Sequence, residues 1–248
     1  MATKKKETEV IVINPLKMRT TEIEVIGDSP LLVHAWSVKA RREMLEKQMK
    51  LTKTETKSVK NPLEDFVSGA YWLTPMPTEF DLESVEKALE NARFGFPCSA
   101  FKKAILSTSS RLGWGIAKTE LNTAFFIEAN EPGYYTSDLK LSDDKKKLII
   151  IPNQYMTFGM VEIFSDTPVV REDMVRLAGI GRPADIRYRP EFRNWSAKLK
   201  ITYVDDGLVS LEQIINGLDA AGKVNGIGEW RCEKGGDYGK FHVNRVIA

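Results

Sequence analysis

The feature that most constrains this chain is one crowded stretch near its C-terminus, the run Gly226-Ile227-Gly228-Glu229-Trp230-Arg231-Cys232-Glu233-Lys234-Gly235-Gly236-Asp237-Tyr238-Gly239-Lys240-Phe241. Gly226, Gly228, Gly235, Gly236 and Gly239 share this segment with Arg231, Lys234 and Lys240 and with Trp230, Tyr238 and Phe241. Glycine permits positive φ and close backbone approach, which crowded phosphate-binding loops require. Arginine and lysine supply charge-assisted donors, and the faces of Trp230 and Tyr238 suit stacking on a base or sugar. The same composition also serves a plain chain reversal, and the loop alone does not decide between the two.

The elements around this loop are well marked. Ser210-Leu211-Glu212-Gln213 has capping-box form, and Leu211, Ile214, Ile215, Leu218 and Ala221 trace one apolar stripe of a helix that Gly222 is expected to stop. A closing strand is predicted from about Lys240 to Val246. Far upstream, the alternation of residues 21–26 predicts a half-buried strand, broken by Gly27-Asp28-Ser29-Pro30. Residues 38–50 read as a helix with Leu45 and Met49 inward and Lys39, Arg41, Arg42, Lys47 and Lys50 outward. Residues 51–62, rich in Thr and Lys, read as a flexible insertion. Asp81 is a candidate cap for a helix running to about Ala92.

The segment Phe96-Pro97-Cys98-Ser99-Ala100-Phe101-Lys102-Lys103-Ala104-Ile105-Leu106 predicts a further helix with Ser99 as N-cap, and Gly113-Trp114-Gly115 ends it. Phe101, Ala104, Ile105 and Leu112 form its core face. Lys102, Lys103 and Arg111 are left off that stripe, close to a helix N-terminus that favours anions. A lysine pair on a helix is equally an ordinary solvated face.

Short apolar runs at 124–127 and 148–151 have the length of buried strands, with a turn at 142–145 before the second; 160–164 predicts another strand. In 184–195, period-two geometry puts Arg187 and Arg189 on one strand face, with Arg193 and Trp195 following after Pro190 disturbs the ladder. Ala197, Leu199, Ile201 and Tyr203 then alternate with Lys198, Lys200 and Thr202. If these two strands are neighbours, arginines and lysines lie side by side. Like-charge repulsion disfavours that unless an anion crosses them or Glu172, Asp173, Asp185 and Glu191 neutralise them.

The order strand, helix, strands, strand, helix, strand is that of an α+β, ferredoxin-like (RRM-like) core: an antiparallel sheet, two packed helices and long insertions. A chain of 248 residues with 42% hydrophobic and 28% charged side chains suits one elaborated domain, placed at 20–248 after a mobile tail at 1–19. A net charge of +2 means that any basic surface must come from local clustering. Two distant cysteines, Cys98 and Cys232, suggest neither zinc nor a disulfide framework, so a reducing cytoplasmic setting is expected. No apolar run approaches the roughly 20 residues of a membrane span, and Met1 to Glu9 lacks the apolar stretch of a secretory signal.

The 96–105 segment resembles the "I-P-G-S-S-L-K-G" helix start of the RAMP superfamily, the RNA-binding subunits of CRISPR effector complexes. The Gly226–Phe241 run is similar to the glycine-rich loop that follows the last helix in that superfamily. The ending also looks like that of a group of phage-encoded proteins with "G-x-G-E-W-R…G-x-F". Cys98 and Lys103 differ from the small residues usual at their places. The resemblance implies an RRM-like fold that binds along a single strand, often as side-by-side copies.

Little in the sequence points to catalysis. His34 and His242 are the two histidines; no HExxH, DxD, Walker or GxSxG motif occurs, and the carboxylates are scattered. The expectation is therefore a non-enzymatic protein without cofactor or metal that binds single-stranded RNA or DNA in a sequence-tolerant way. Its setting would be the host cytoplasm, in phage recombination, replication or anti-defence. Phosphate contacts are assigned to Lys102, Lys103, Arg111, Arg187, Arg189, Arg193, Arg231, Lys234 and Lys240, with Trp195, Trp230 and Tyr238 as stacking platforms. Two alternatives stand beside it: a self-assembling protein that docks on a host complex, and a RAMP-type endoribonuclease using His34.

Overall fold

The computed structural model describes residues 15–51, 59–129, 131–142, 148–176, 181 and 183–247. The alternating segment near the N-terminus forms β1 (Met18–Gly27), which buries Thr21, Ile23 and Val25 on one face. Its pairing starts at Met18, inside the stretch expected to be a tail. Along the chain follow β2 (Leu31–Leu32), α1 (Val38–Gln48), α2 (Pro62–Gly69), α3 (Leu82–Leu89), β3 (Phe94–Pro97), α4 (Cys98–Leu112), α5 (Lys118–Ala124) and β4 (Phe125–Ile127). The second half comprises β5 (Glu131–Leu141), β6 (Leu148–Ser165), β7 (Val169–Arg176), β8 (Ala184–Phe192), β9 (Trp195–Val204), α6 (Leu211–Val224) and β10 (Phe241–Ile247).

Strand β1 lies between β9 and β10, antiparallel to both, with Ile23 opposite Leu199 on one side and Val246 on the other. The far edge of β9 is shared. β6 takes its first half, with Ile163 opposite Ala197, and β4 takes its second, with Ile127 opposite Ile201. The sheet order β10-β1-β9-β6-β3 thus contains the split βαβ arrangement of a ferredoxin-like core, in which α4 and α6 are the two crossover helices.

Helices form where the sequence supplies their ends. Asn61 Oδ1 accepts the Leu63 amide at 2.9 Å to start α2, a helix the composition of 51–62 concealed; residues 52–58 of that expected insertion lie outside the described residues. The Asp81 carboxylate accepts the Ser84 amide at 2.9 Å, and the Ser210–Gln213 box closes at α6 as predicted. Helix α4 packs Phe101 between Phe96 and Phe241, with ring centroids 6.4 and 5.8 Å away. Each such fully buried ring contributes about 2–3 kcal/mol of transfer free energy.

Five expectations are corrected. Helix α4 begins at Cys98 with Pro97 at its cap, so Ser99 sits in the first turn and caps nothing. Helix α6 runs past Gly222 to Val224, because Gly222 is a packing site: a Cβ there would run into the Phe241 carbonyl. In α1 the buried residues are Arg42 and Glu46, while Met49 is exposed. Pro190 does not interrupt β8, since it stands opposite Val170 within a continuous ladder. Most important, β8 and β9 belong to different sheets, so no band of arginines beside lysines forms. The expected turn at 142–145 lies outside the described residues beyond Ser142, and the strand at 148–151 is the start of β6.

Gly222→Ala is expected to cost about 1–3 kcal/mol by overpacking α6 on β10. Gly113→Ala, at a left-handed helix cap with open space around it, is expected to cost about 1 kcal/mol. Urea unfolding midpoints of the two variants check the order.

Candidate nucleic-acid interface

The two segments singled out in the sequence meet. A cleft of about 560 Å³ opens between the start of α4 and the loop after α6. Pro97, Ser99, Ala100 and Lys103 line one wall, Gly226 to Glu229 and Arg231 line the other, and His34, Tyr71 and Lys118 complete it. The first turn of α4 has no side-chain cap and no acidic residue, and Pro97, Ser99 and Ala100 put that helix start, the positive end of its dipole, at the cleft.

The loop is held in place by Asn225, only 1% exposed. Its side chain donates to Ala104 O at 3.0 Å and accepts from Arg111 at 3.1 Å, while its carbonyl accepts the Glu233 amide at 3.1 Å. The glycines serve this closure. A Cβ at Gly228, Gly236 or Gly239 would strike the Leu32, Trp230 or Ile227 carbonyl, and at Gly226 it would press on the main chain of residues 238–239. Gly235, in open space, ends the short 3-10 turn of residues 232–234. These glycines admit the loop's own backbone and that of β2.

Many of the predicted cations are already committed. Glu233 accepts from Arg111 at 2.9 Å, from Arg231 at 2.8–2.9 Å and from Ser107 at 3.1 Å. Burial works to raise its pKa, yet the hydrogen bonds from Arg231 and Ser107 and the two guanidinium charges hold it below the usual carboxylate range. Arg189 is buried, with a 3%-exposed side chain paired to Asp173 at 3.1 Å. Arg193 pairs with Glu191 at 2.9 Å, and Lys240 with Asp237 at 3.0 Å. Lys102 donates to the Asn122 and Phe125 carbonyls at 2.7 and 2.8 Å and lies over two phenylalanine rings; burial lowers its pKa. Lys102 closes the end of α5 and faces no open groove.

The aromatic assignments divide in the same way. Trp195, 3% exposed, is core: its indole donates to Ser29 O at 2.8 Å and packs on Gly27 and Phe241. No base can stack on it. Tyr238 carries the Arg171 guanidinium 4.7 Å from its ring centre. Trp230, at positive φ and 44% exposed, does not itself line the cleft but stands between two residues that do.

The side chains of Lys103, Arg187 and Lys234 make no hydrogen bond or ion pair among the described residues, and neither does that of Lys118, which the sequence reading passed over. Tyr71 was missed as well, because nothing local marks it, and Glu229, inside the loop singled out in the sequence, was given no binding role. His34, the candidate of the endoribonuclease alternative, lies at the cleft with solvent on one side; the protein packed around it and the charges of Arg189 and Arg187 lower its pKa, and Glu229 partly restores it. The sheet's outer surface is mixed: its central strands set Glu22 opposite Lys200 and Glu24 opposite Lys198, and exposed Phe126 and Phe164 stand opposite Thr202 and Ser196 on the same face. Among the described residues no group of His, Cys, Asp or Glu has the makings of a metal site, and no helix is long and apolar enough to cross a membrane.

These elements define an α+β protein with a ferredoxin-like antiparallel core and a polar cleft between its crossover helix and its glycine loop. No protein-family model matches the chain, and no curated protein matches it in sequence. Among solved structures it is similar to the crystal structure of Cmr6 from Pyrococcus furiosus, at 11% identity over 93% of this chain and 100% of that chain, with a TM-score of 0.34. The architecture is defined by its own strand order and register.

Glu233→Gln is expected to destabilise the protein by about 1–3 kcal/mol near neutral pH, since two guanidinium groups lose their shared anion. A carboxylate with a depressed folded-state pKa stabilises above the unfolded value of about 4.3 and loses that effect as pH falls through the folded value, so the difference from wild type should vanish in acid. Urea midpoints measured across pH check both. In an NMR titration, His34 should titrate below the ordinary value of about 6.5, and lower still in Glu229→Gln.

Proposed function

We propose that this chain binds single-stranded nucleic acid without cleaving it, the strand crossing the cleft between α4 and the glycine loop. The observation that carries this reading is the meeting of the Phe96–Leu106 and Gly226–Phe241 segments at one groove. That groove offers an uncapped helix start with Lys103 and Lys118 among its lining residues, and the charge of Arg187 reaches His34, which also lines it. Amide dipoles and cations on one wall suit phosphates, and the exposed ring of Trp230 suits a base. Backbone contacts of this kind are sequence-tolerant. RNA and DNA both satisfy them, and repetition of the chain along a strand would extend the track.

A second reading, docking to another protein, has its own support. Met174, 71% exposed, stands directly opposite exposed Ile186 on the β7–β8 hairpin, with Val170 nearby. Concentration-dependent assembly without nucleic acid, seen by sedimentation, favours it.

Anisotropy of labelled single-stranded oligonucleotides tests the first reading. The logarithm of affinity should fall linearly with the logarithm of salt concentration, and Lys103→Ala should reduce the slope by about 0.7. Lys198→Ala, on the outer sheet surface, should leave it unchanged. Absence of binding at low salt, or sensitivity at Lys198 in place of Lys103, overturns the cleft assignment. The RNA should remain intact; cleavage that disappears in His34→Ala would establish a nuclease.

A further inference from the structure

Two carboxylates line the cleft, and they differ. Glu233 is saturated by Ser107, Arg111 and Arg231. Glu229 has its amide tied to Leu32 O at 2.9 Å, while its carboxylate accepts no hydrogen bond and forms no ion pair among the described residues. An open carboxylate in a groove for a polyanion repels phosphate, so it weakens binding unless the ligand brings donors to it. Its neighbours narrow what those donors are. The Glu229–Leu32 bond places Glu229 beside the segment carrying His34, and the charge of Glu229 is felt by both His34 and Tyr71. The Tyr71 ring lines the cleft and is braced edge-on by Phe96 at 5.8 Å between centroids.

We propose that Glu229, His34 and Tyr71 form a base-reading pocket at one position of the bound strand, and that the base it takes is guanine. The inference rests on the single-strand reading above. A carboxylate presents two acceptors, matching the adjacent N1–H and N2–H of guanine's pairing edge, the one base edge with two neighbouring donors. A neutral imidazole beside it has the single N–H donor that guanine O6 requires. An imidazole with an ordinary value of about 6.5 is already largely neutral near pH 7, and the shift at His34 is in the same direction. Tyr71 supplies the stacking face. Adenine, cytosine and uracil each bring one donor site to the carboxylate and leave its second oxygen unmatched. The rest of the track reads only backbone, so a single guanine is distinguished within an otherwise tolerated sequence.

The test compares labelled U-tracts with U-tracts containing one central guanine or one central inosine, which lacks the N2 amine. Wild type should bind the guanine strand about tenfold more tightly than the U-tract, with inosine between them. Glu229→Gln should lose the preference and bind the U-tract somewhat more tightly, because a negative charge has left the groove. Equal affinity for guanine and U strands in wild type, or a preference that survives Glu229→Gln, overturns the pocket while leaving the strand-binding reading intact. The inosine comparison needs no variant, so a misfolded Glu229→Gln does not spare the proposal. Failure to bind any strand overturns both.

Discussion

The cleft depends on one buried amide. Asn225 joins α4, α6 and the glycine loop through the Ala104 carbonyl, the Arg111 guanidinium and the Glu233 amide, with almost no exposure to water. A buried side chain with its donors and acceptors matched fixes geometry, because any displacement strands a polar group in a dry environment. The loop's glycines follow from that anchor. Once the chain must fold back tightly beside β2 and its own turn, there is no room for a Cβ at Gly228, Gly236 or Gly239.

The same economy governs charge. A chain with a net charge of +2 cannot sustain a broad basic surface, and most of its arginines near the cleft are spent on internal acids. The Glu233 clamp secures the loop against α4, and the Arg171–Asp173–Arg189 and Glu191–Arg193 pairs hold the β7–β8 sheet. Among the described residues, the predicted or cleft-lining cations whose side chains have no partner are Lys103, Lys118, Arg187 and Lys234, and of these Lys103 and Lys118 line the cleft beside the uncapped start of α4. Binding would accordingly draw on helix dipoles and a few cations, with stacking as the sequence-tolerant supplement.

Much of the fold was legible because local rules decide it. The capping residues Asp81 and Ser210, the alternation of β1 and β9, and Gly113 after α4 all act within a few residues of themselves. Site residues were harder to read because charge type does not say what a side chain faces. Arg189 and Arg187 are two residues apart on one strand, yet the first is buried on Asp173 and the second has no ion pair among the described residues. Trp195 and Trp230 look alike as aromatics in basic surroundings; one is core and the other is exposed.

The sequence alone therefore determined the main core elements (β1, α4, β9, α6 and β10), their order and the two segments that bound the cleft, since periodicity and capping are short-range, while the short elements β2, α2, α5 and β7 did not emerge from it. Tertiary structure alone decided that β8 and β9 part into different sheets, that Glu233 neutralises Arg111 and Arg231, and that His34, Tyr71 and Glu229 come to one place. Those outcomes depend on which distant backbones lie side by side, and pairing across more than a hundred residues leaves no local trace in residue type.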